Sequence, residues 1–215
     1  MLACISGPSG LRAALTAALA GQAAGILARL RAETVPAHRA IEQTLALTDE
    51  TLTLASYTRR LEQFYGYYRP LEAQLLVSRN NLAEWLDVQP RFKARFLQDD
   101  LSALGRTSAD SLPLCRELPE LGGPAECFGC FYVLEGATLG GVLISRHIRE
   151  NLGITPDTGG RFFNAYGERN GAMWHEFRAA LTSFAEVSDD HELIITAART
   201  TFETLHHWCE EKRVP

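Results

Sequence analysis

An early segment of the sequence carries a histidine and a carboxylate at a spacing that suits metal binding. His38 and Glu42 are four residues apart, so in a helix their side chains share one face. A neutral imidazole is a common iron ligand, and a carboxylate one turn away can orient the ring through its other nitrogen. The alternative interpretation is an ordinary core or rim histidine beside a solvated surface acid.

A second candidate lies about a hundred residues later, where glycines interrupt a helical pattern. The stretch Tyr132–His147 repeats apolar residues at helical spacing, yet it contains Gly136, Gly140 and Gly141. Each glycine inside a helix costs about 1 kcal/mol relative to alanine. Such a local conflict tends to mark a functional site. A helix without Cβ atoms lets another group come close to its backbone.

Together the two candidates predict a flat ligand held between two helices. A macrocycle bound to His38 on one face needs a partner on its other face. A helix that is bare at Gly136 and Gly140 could lie close to the ring and still leave room over the metal. We therefore interpret the pattern as haem bound between the two helices, with its iron on His38.

The elements that must position these residues are predicted to be helices. Helical periodicity covers residues 25–45, 53–76, 92–104, about 125 onward, 171–187 and about 190–212. Pro36 predicts a kink or a new first turn with Thr34 as N-cap, and Pro70 predicts a bend or a division. No strand signal is found. We expect an all-α single domain of about seven or eight helices.

Composition limits the classes of function. The chain has 215 residues, of which 46% are hydrophobic and 22% charged, which fits one globular domain. A formal net charge of -5 argues against nucleic acid as a partner. We find no apolar run that approaches the roughly 18 residues of a membrane span. We expect a cytoplasmic protein without a membrane segment.

The cysteines and the N-terminal segment carry no predicted site. Five cysteines, an odd number, do not look like a secreted disulfide framework. Cys127 and Cys130 form a CxxC without a second pair, so we expect helix-face thiols rather than a zinc site. Residues 1–24 are rich in Ala, Leu and Gly and match a signal peptide poorly. We expect them to form a loosely ordered helix before a domain at 25–215.

Three segments resemble a known family. LRAETVPAHRAIEQ at Leu30–Gln43 and FYVLEGATLGGVLI at Phe131–Ile144 are similar to the proximal and distal helices of bacterial haem oxygenases. RFFNAYGERNGAMWHEF at Arg161–Phe177 resembles a segment of those encoded with bacteriophytochromes. The likeness runs from about Leu30 to Trp208 in matching order, and it implies the haem oxygenase fold.

The resemblance also implies roles for particular residues. It makes His38 the proximal ligand with Glu42 behind it, and it places Gly136 and Gly140 against the ring. The further residues that it implies in haem binding are Arg31, Tyr132, Thr138, Gly141, Arg146 and His147. A basic residue suits a haem propionate because the pair is charge-assisted. The alternatives are surface cations for the two arginines and a core aromatic for the tyrosine.

One position departs from the family pattern. Ala137 stands where the animal enzymes have Asp and the bacterial relatives commonly have Ser. Any distal hydrogen-bond network must then use backbone carbonyls, Thr138, Arg146 or a group elsewhere.

The function implied by the resemblance is haem degradation that depends on O₂ and an external reductant. Haem would be both cofactor and substrate, and the products would be biliverdin, carbon monoxide and iron. Likeness to the phytochrome-linked members implies opening at the α-meso carbon and a bacteriophytochrome that receives the bilin. No GxGxxG fingerprint is present, so electrons would come from a separate donor of ferredoxin or reductase type.

Three other functions fit parts of the pattern. A haem-binding or delivery protein of the same fold would keep the pocket without turnover, and Ala137 favours it. An interaction domain could use the GxxxG surface to pack against another helix. A same-fold hydrolase or a carboxylate di-iron enzyme is the third, but a di-iron site needs several Glu-x-x-His pairs, and Glu203–His206 stands alone.

Overall fold

The computed structural model describes residues 25–106 and 108–211. Within these ranges the chain forms six helices: α1 Ile26–Leu45, α2 Leu54–Val77, α3 Ala94–Ala103, α4 Pro124–Leu152, α5 Asn170–Val187 and α6 His191–Glu211. Single helical turns in the connections include Gln89–Arg91, Arg161–Asn164 and Gly167–Arg169. The described residues contain no strand, which confirms the all-α prediction, although seven to eight helices was slightly too many. The predicted extension at 1–24 lies outside the described residues.

Helix α6 supports both helices that carry the candidate residues. α1 and α4 each pack mainly against α6, and neither packs extensively against the other. Gly129 allows the close approach of α4 to α6, because a Cβ there would overlap the Ile194 carbonyl oxygen and lie 2.7 Å from the Ala197 methyl. The fold therefore holds α1 and α4 as two walls above a common base.

The proline in α1 does not start a new helix. α1 is continuous through Pro36, and the Thr34 hydroxyl donates to the Leu30 carbonyl at 2.7 Å. Thr34 is therefore a buried mid-helix residue that bonds back one turn, and the predicted N-cap is wrong. Pro36 is exposed, so water can satisfy the carbonyl that the missing N–H leaves free.

The proline in α2 is tolerated for a different reason. Pro70 cannot donate to the Gly66 carbonyl, and the backbone N–H of Cys115 donates to it instead, at 2.8 Å. α2 therefore stays continuous, and the predicted division is wrong. The same bond ties the connection between α3 and α4 to the core.

Helix α4 is the longest helix and a core element. By length and composition alone it could span a membrane, contrary to the expectation that no stretch of the chain could, but more than half of its most apolar window is buried in the protein. Cys127 and Cys130 both lie in this buried part. Burial raises the pKa of the Cys127 thiol to about 11, which keeps it protonated.

A buried carboxylate holds the segment that lies behind α4. Asp100 is 1% exposed and accepts hydrogen bonds from the backbone N–H groups of Arg161 and Phe162, both at 2.8 Å. Burial raises the pKa of Asp100 to about 6, and these two hydrogen bonds oppose the rise. Asp100 thereby positions Phe163, whose backbone packs against Gly141 of α4.

We expect Asp100→Asn to alter how stability depends on pH. The folded protein keeps the Asp100 proton up to about pH 6, whereas the unfolded chain releases it near 3.8. The stabilisation from protonation is complete below the unfolded pKa and is lost as pH rises through the folded pKa, by up to about 3 kcal/mol. Chemical unfolding between about pH 4 and pH 7 should show the wild type losing stability relative to the variant. A stability difference that is constant with pH would contradict this assignment.

Candidate functional site

One side of α1 carries the predicted metal ligand. The residues exposed along it, at three- or four-residue spacing, are Arg31, Val35, His38 and Glu42. His38 Nδ1 lies 3.2 Å from Glu42 Oε2, and the imidazole edge packs on Phe202 of α6 with ring centroids 5.6 Å apart. Because Nδ1 faces the carboxylate, Nε2 is the nitrogen available to a metal.

One side of α4 combines bare backbone with exposed apolar side chains. Leu139, Val142 and Leu143 are 45%, 57% and 68% exposed. Apart from the chain neighbours and the backbone of α4 itself, no described atom lies within 4 Å of a Cβ built at Gly140, and at Gly136 the nearest such atom is Trp174 Cη2, at 3.9 Å. Apolar side chains exposed together on one helix face are characteristic of a binding surface.

Contacts at two points show that these sides face each other. At one end, the Tyr132 phenol lies close enough to the Thr34 side chain and to Arg31 for both to lower its pKa. At the other end, His147 Nε2 lies 3.0 Å from the Asp49 carbonyl oxygen, just beyond α1. Thr34 and Asp49 are 15 residues apart, as are Tyr132 and His147. α1 and α4 therefore run side by side in the same direction.

The predicted residues lie between these two contacts. His38 is one helical turn after Thr34, and Gly136 is one turn after Tyr132, so the imidazole and the first glycine are at about the same height. Gly140 follows one turn later. We call the space between the exposed sides of α1 and α4 the α1–α4 cleft; it has the His38 imidazole on one wall and bare backbone at Gly136 and Gly140 on the other.

The Tyr132 end of the cleft is suited to an anion. Burial raises the pKa of Tyr132, while the hydrogen bond with Thr34 and the charge of Arg31 oppose the rise. None of the ion pairs formed among the described residues uses Arg31. Its exposed guanidinium is therefore available to a carboxylate, and a charge-assisted bond of this kind is strong.

Other predicted site residues have structural partners. Thr138 is buried and donates to the Glu135 carbonyl at 2.7 Å. A Cβ at Gly141 would overlap the Phe163 carbonyl oxygen. The structure therefore places Thr138 and Gly141 in the packed interior, not beside His38. Their contact with a ligand stays a prediction.

The two polar residues predicted near the end of α4 are at the surface. Exposed Arg146 pairs with Glu150 at 2.9 Å. His147, at the far end of the cleft, also lies 2.9 Å from the Asn151 amide nitrogen. Both residues could contact the edge of a ligand in the cleft, and this role stays a prediction.

Trp174 is a cleft residue that was not among the predicted site residues. Its ring reaches the Gly136 position and lies 5.9 Å from the Tyr132 ring, centroid to centroid. Its stacked contact with Phe177, with centroids 5.6 Å apart, continues this aromatic wall into the core. Helical spacing identifies an apolar face, but only the packing of α5 on α4 shows which ring reaches the cleft.

These features fit haem better than a bare metal ion. No group of three or more His, Cys, Asp or Glu side chains in 25–106 and 108–211 could hold a metal ion. The cleft instead offers one imidazole, an apolar wall without side chains at two positions, and a cation at one end. An iron porphyrin with carboxylate substituents needs this combination.

Comparisons with solved structures show the same fold in haem oxygenases. The protein from Leptospira interrogans has a TM-score of 0.73 and 20% identity, covering 87% of this chain and 100% of that one. The NO- and CO-bound enzyme from Neisseria meningitidis gives 0.75 and 19%, covering 87% and 92%. Haem oxygenase 2 from Chlamydomonas reinhardtii, solved without haem, gives 0.68 and 16%, covering 89% and 99%. A comparison with curated proteins found no significant match.

A family model connects the sequence to this fold more directly. The model described as Heme oxygenase matches residues 24–211, which include every residue assigned to the cleft. The chain belongs to the haem oxygenase family.

Proposed function

We propose that this protein opens haem to biliverdin, carbon monoxide and iron, using O₂ and electrons from a separate donor. The observation that carries the proposal is the α1–α4 cleft, with exposed His38 on α1 and bare backbone at Gly136 and Gly140 on α4, and we propose that these two groups meet opposite faces of the haem. Family membership supports oxidative haem degradation over simple delivery.

On the α1 side, His38 would bind iron through Nε2. The Glu42 carboxylate would accept a hydrogen bond from Nδ1–H and so keep the imidazole in one tautomer and one orientation. When bound, haem supplies the oxygen chemistry and is itself oxidised. A neutral imidazole suits this reaction, because a thiolate ligand would favour O–O cleavage.

On the α4 side, the residues would confine the ring and keep water away. The backbone at Gly136 and Gly140 can come close to the distal face, and Leu139 and Leu143 would cover apolar edges. Ala137 supplies no hydroxyl, so over the centre of the ring the polar groups that α4 would offer are those of its backbone.

The ends of the cleft would set how the ring is rotated. Arg31 and Tyr132 would receive a propionate at one end, and Arg146 or His147 would meet the far edge. Fixing the ring in this way selects which meso carbon lies beneath the glycine wall. By likeness to the phytochrome-linked enzymes we propose the α-meso carbon, a cytoplasmic location, a ferredoxin or reductase as donor and a bacteriophytochrome as recipient.

Haemin titration followed by reduction tests the proposal. We expect the protein to bind haemin at one equivalent and, after ascorbate is added in air, to lose the Soret band and gain biliverdin absorption. A stable Soret band would mean a haem carrier. Failure to bind at one equivalent would leave an interaction domain as the better explanation.

A further inference from the structure

We propose that Glu135 is a positioning residue that holds Trp174 and Gly136 in a fixed relation and thereby sets the orientation in which haem is opened. This inference rests on the proposed function. It concerns a charged cluster behind the cleft, in which no residue was predicted as part of a site.

The carboxylate of Glu135 is completely buried and has three side-chain partners. It is 0% exposed and lies 2.5 Å from Arg91 Nη1 and 2.7 Å from Lys93 Nζ. The Tyr166 hydroxyl donates to it at 2.6 Å. The donors come from two separate segments, one before α3 and one before α5.

The cluster buries charges at a place where apolar side chains would cost less free energy to bury. Arg91 and Lys93 are 1% and 2% exposed, and Arg91 Nη2 lies 3.2 Å from the exposed carboxylate of Glu176. Buried ion pairs often stabilise a protein no more than apolar residues of similar volume do. The loss of one partner is nevertheless costly, because it leaves the other charge buried and unpaired. Burial and the neighbouring Glu135 raise the pKa of Tyr166 above its usual range, so its hydroxyl remains a donor.

The contacts of Glu135 form a closed circuit of residues that includes Gly136 on the α4 wall of the cleft. We call this circuit the Glu135 ring. Arg91 Nη1, which meets Glu135, also donates to the Met173 carbonyl at 3.1 Å. Met173 precedes Trp174, whose ring lies 3.9 Å from the Cβ position of Gly136, and Gly136 follows Glu135 in α4. Each member of the ring therefore limits the position of the next.

These contacts hold Trp174 and Gly136, on the α4 side of the cleft, in one arrangement. If Arg91 no longer joined Glu135 to Met173, α5 could shift along α4 and carry the Trp174 ring with it. His38 and the Arg31 end would be unchanged, so haem would still bind. Its rotation and tilt against Gly136 would be less restricted, because that wall would have more than one arrangement.

Glu135→Gln is the direct test, because it keeps the shape and removes the charge. Arg91→Lys keeps the charge but loses the guanidinium, whose Nη1 donates to both Glu135 and Met173. Glu126→Gln makes the same chemical change in the first turn of the same helix, outside the ring, and is the matched control. The readouts are the Trp174 indole N–H resonance in the haem-free protein, assigned with Trp174→Phe, the haemin affinity, and the biliverdin isomers formed.

We expect the Trp174 resonance to shift or broaden in both ring variants and to stay in place in Glu126→Gln. Haemin affinity should change by less than about tenfold, and one product isomer should become a mixture. An unmoved resonance with an unchanged isomer in the ring variants would overturn the inference. If Glu135→Gln does not fold, Tyr166→Phe removes one donor and no charge, and the same outcomes decide. A wild type that does not bind haemin would refute the proposed function, and the resonance would still test the ring.

Discussion

Replacing His38 by alanine is expected to abolish haem turnover while leaving the fold intact. Its side chain is 53% exposed, and changes at such positions usually alter stability by less than about 0.5 kcal/mol. Loss of a group that only orients a metal ligand costs about 10–100-fold, so loss of the ligand itself should cost more than about 100-fold. Biliverdin formation, the Soret spectrum and the unfolding free energy measure these effects.

The controls for this prediction are present in the chain. His207 is a similarly exposed histidine, 58% by side chain, that lies beside Glu117 and Glu211 and outside the cleft, and His207→Ala should behave as wild type. Added imidazole should partly restore the spectrum of His38→Ala, because it can occupy the space left by the side chain. Full turnover in His38→Ala would remove the ligand assignment.

Two adjacent glycines are expected to respond in opposite ways to an added methyl group. At Gly140 no described atom lies within 4 Å of the new Cβ, so Gly140→Ala should stabilise the haem-free protein by about 1 kcal/mol through helix propensity. At Gly141 the Cβ would overlap the Phe163 carbonyl oxygen, so Gly141→Ala should destabilise by about 1–3 kcal/mol.

Haemin affinity should also respond differently to substitutions at Gly140 and at Gly141. Gly140→Leu projects a large side chain into the cleft, and overpacking of about 1–3 kcal/mol corresponds to a loss in haemin affinity of about 5–150-fold. Gly141→Ala, if it folds, should bind haemin nearly as well as wild type. Unchanged affinity and regiochemistry in Gly140→Leu would mean that Gly140 does not face the ring.

Local patterns were enough to predict where most of the helices lie. The predicted range 25–45 matches Ile26–Leu45, and 171–187 matches Asn170–Val187. Thr53, the predicted first residue of α2, is its N-cap in a capping box with Ser56. Periodicity works here because one face of each helix must be buried, whatever it is buried against.

The features that could not be predicted from the sequence depend on contacts between residues far apart in the chain. The continuity of α2 at Pro70 depends on Cys115, 45 residues later. The Glu135 cluster was missed because Arg91 and Lys93 are more than 40 residues from it, and charged residues are usually read as surface. Helical spacing likewise could not show that Trp174 lies beside Gly136.

The most direct test of the haem site is a crystal structure of the haemin complex with iron located by its anomalous signal. We predict iron within bonding distance of His38 Nε2, with the porphyrin between that imidazole and the backbone at Gly136 and Gly140. Iron bound elsewhere, or a ring lying outside the α1–α4 cleft, would contradict the account.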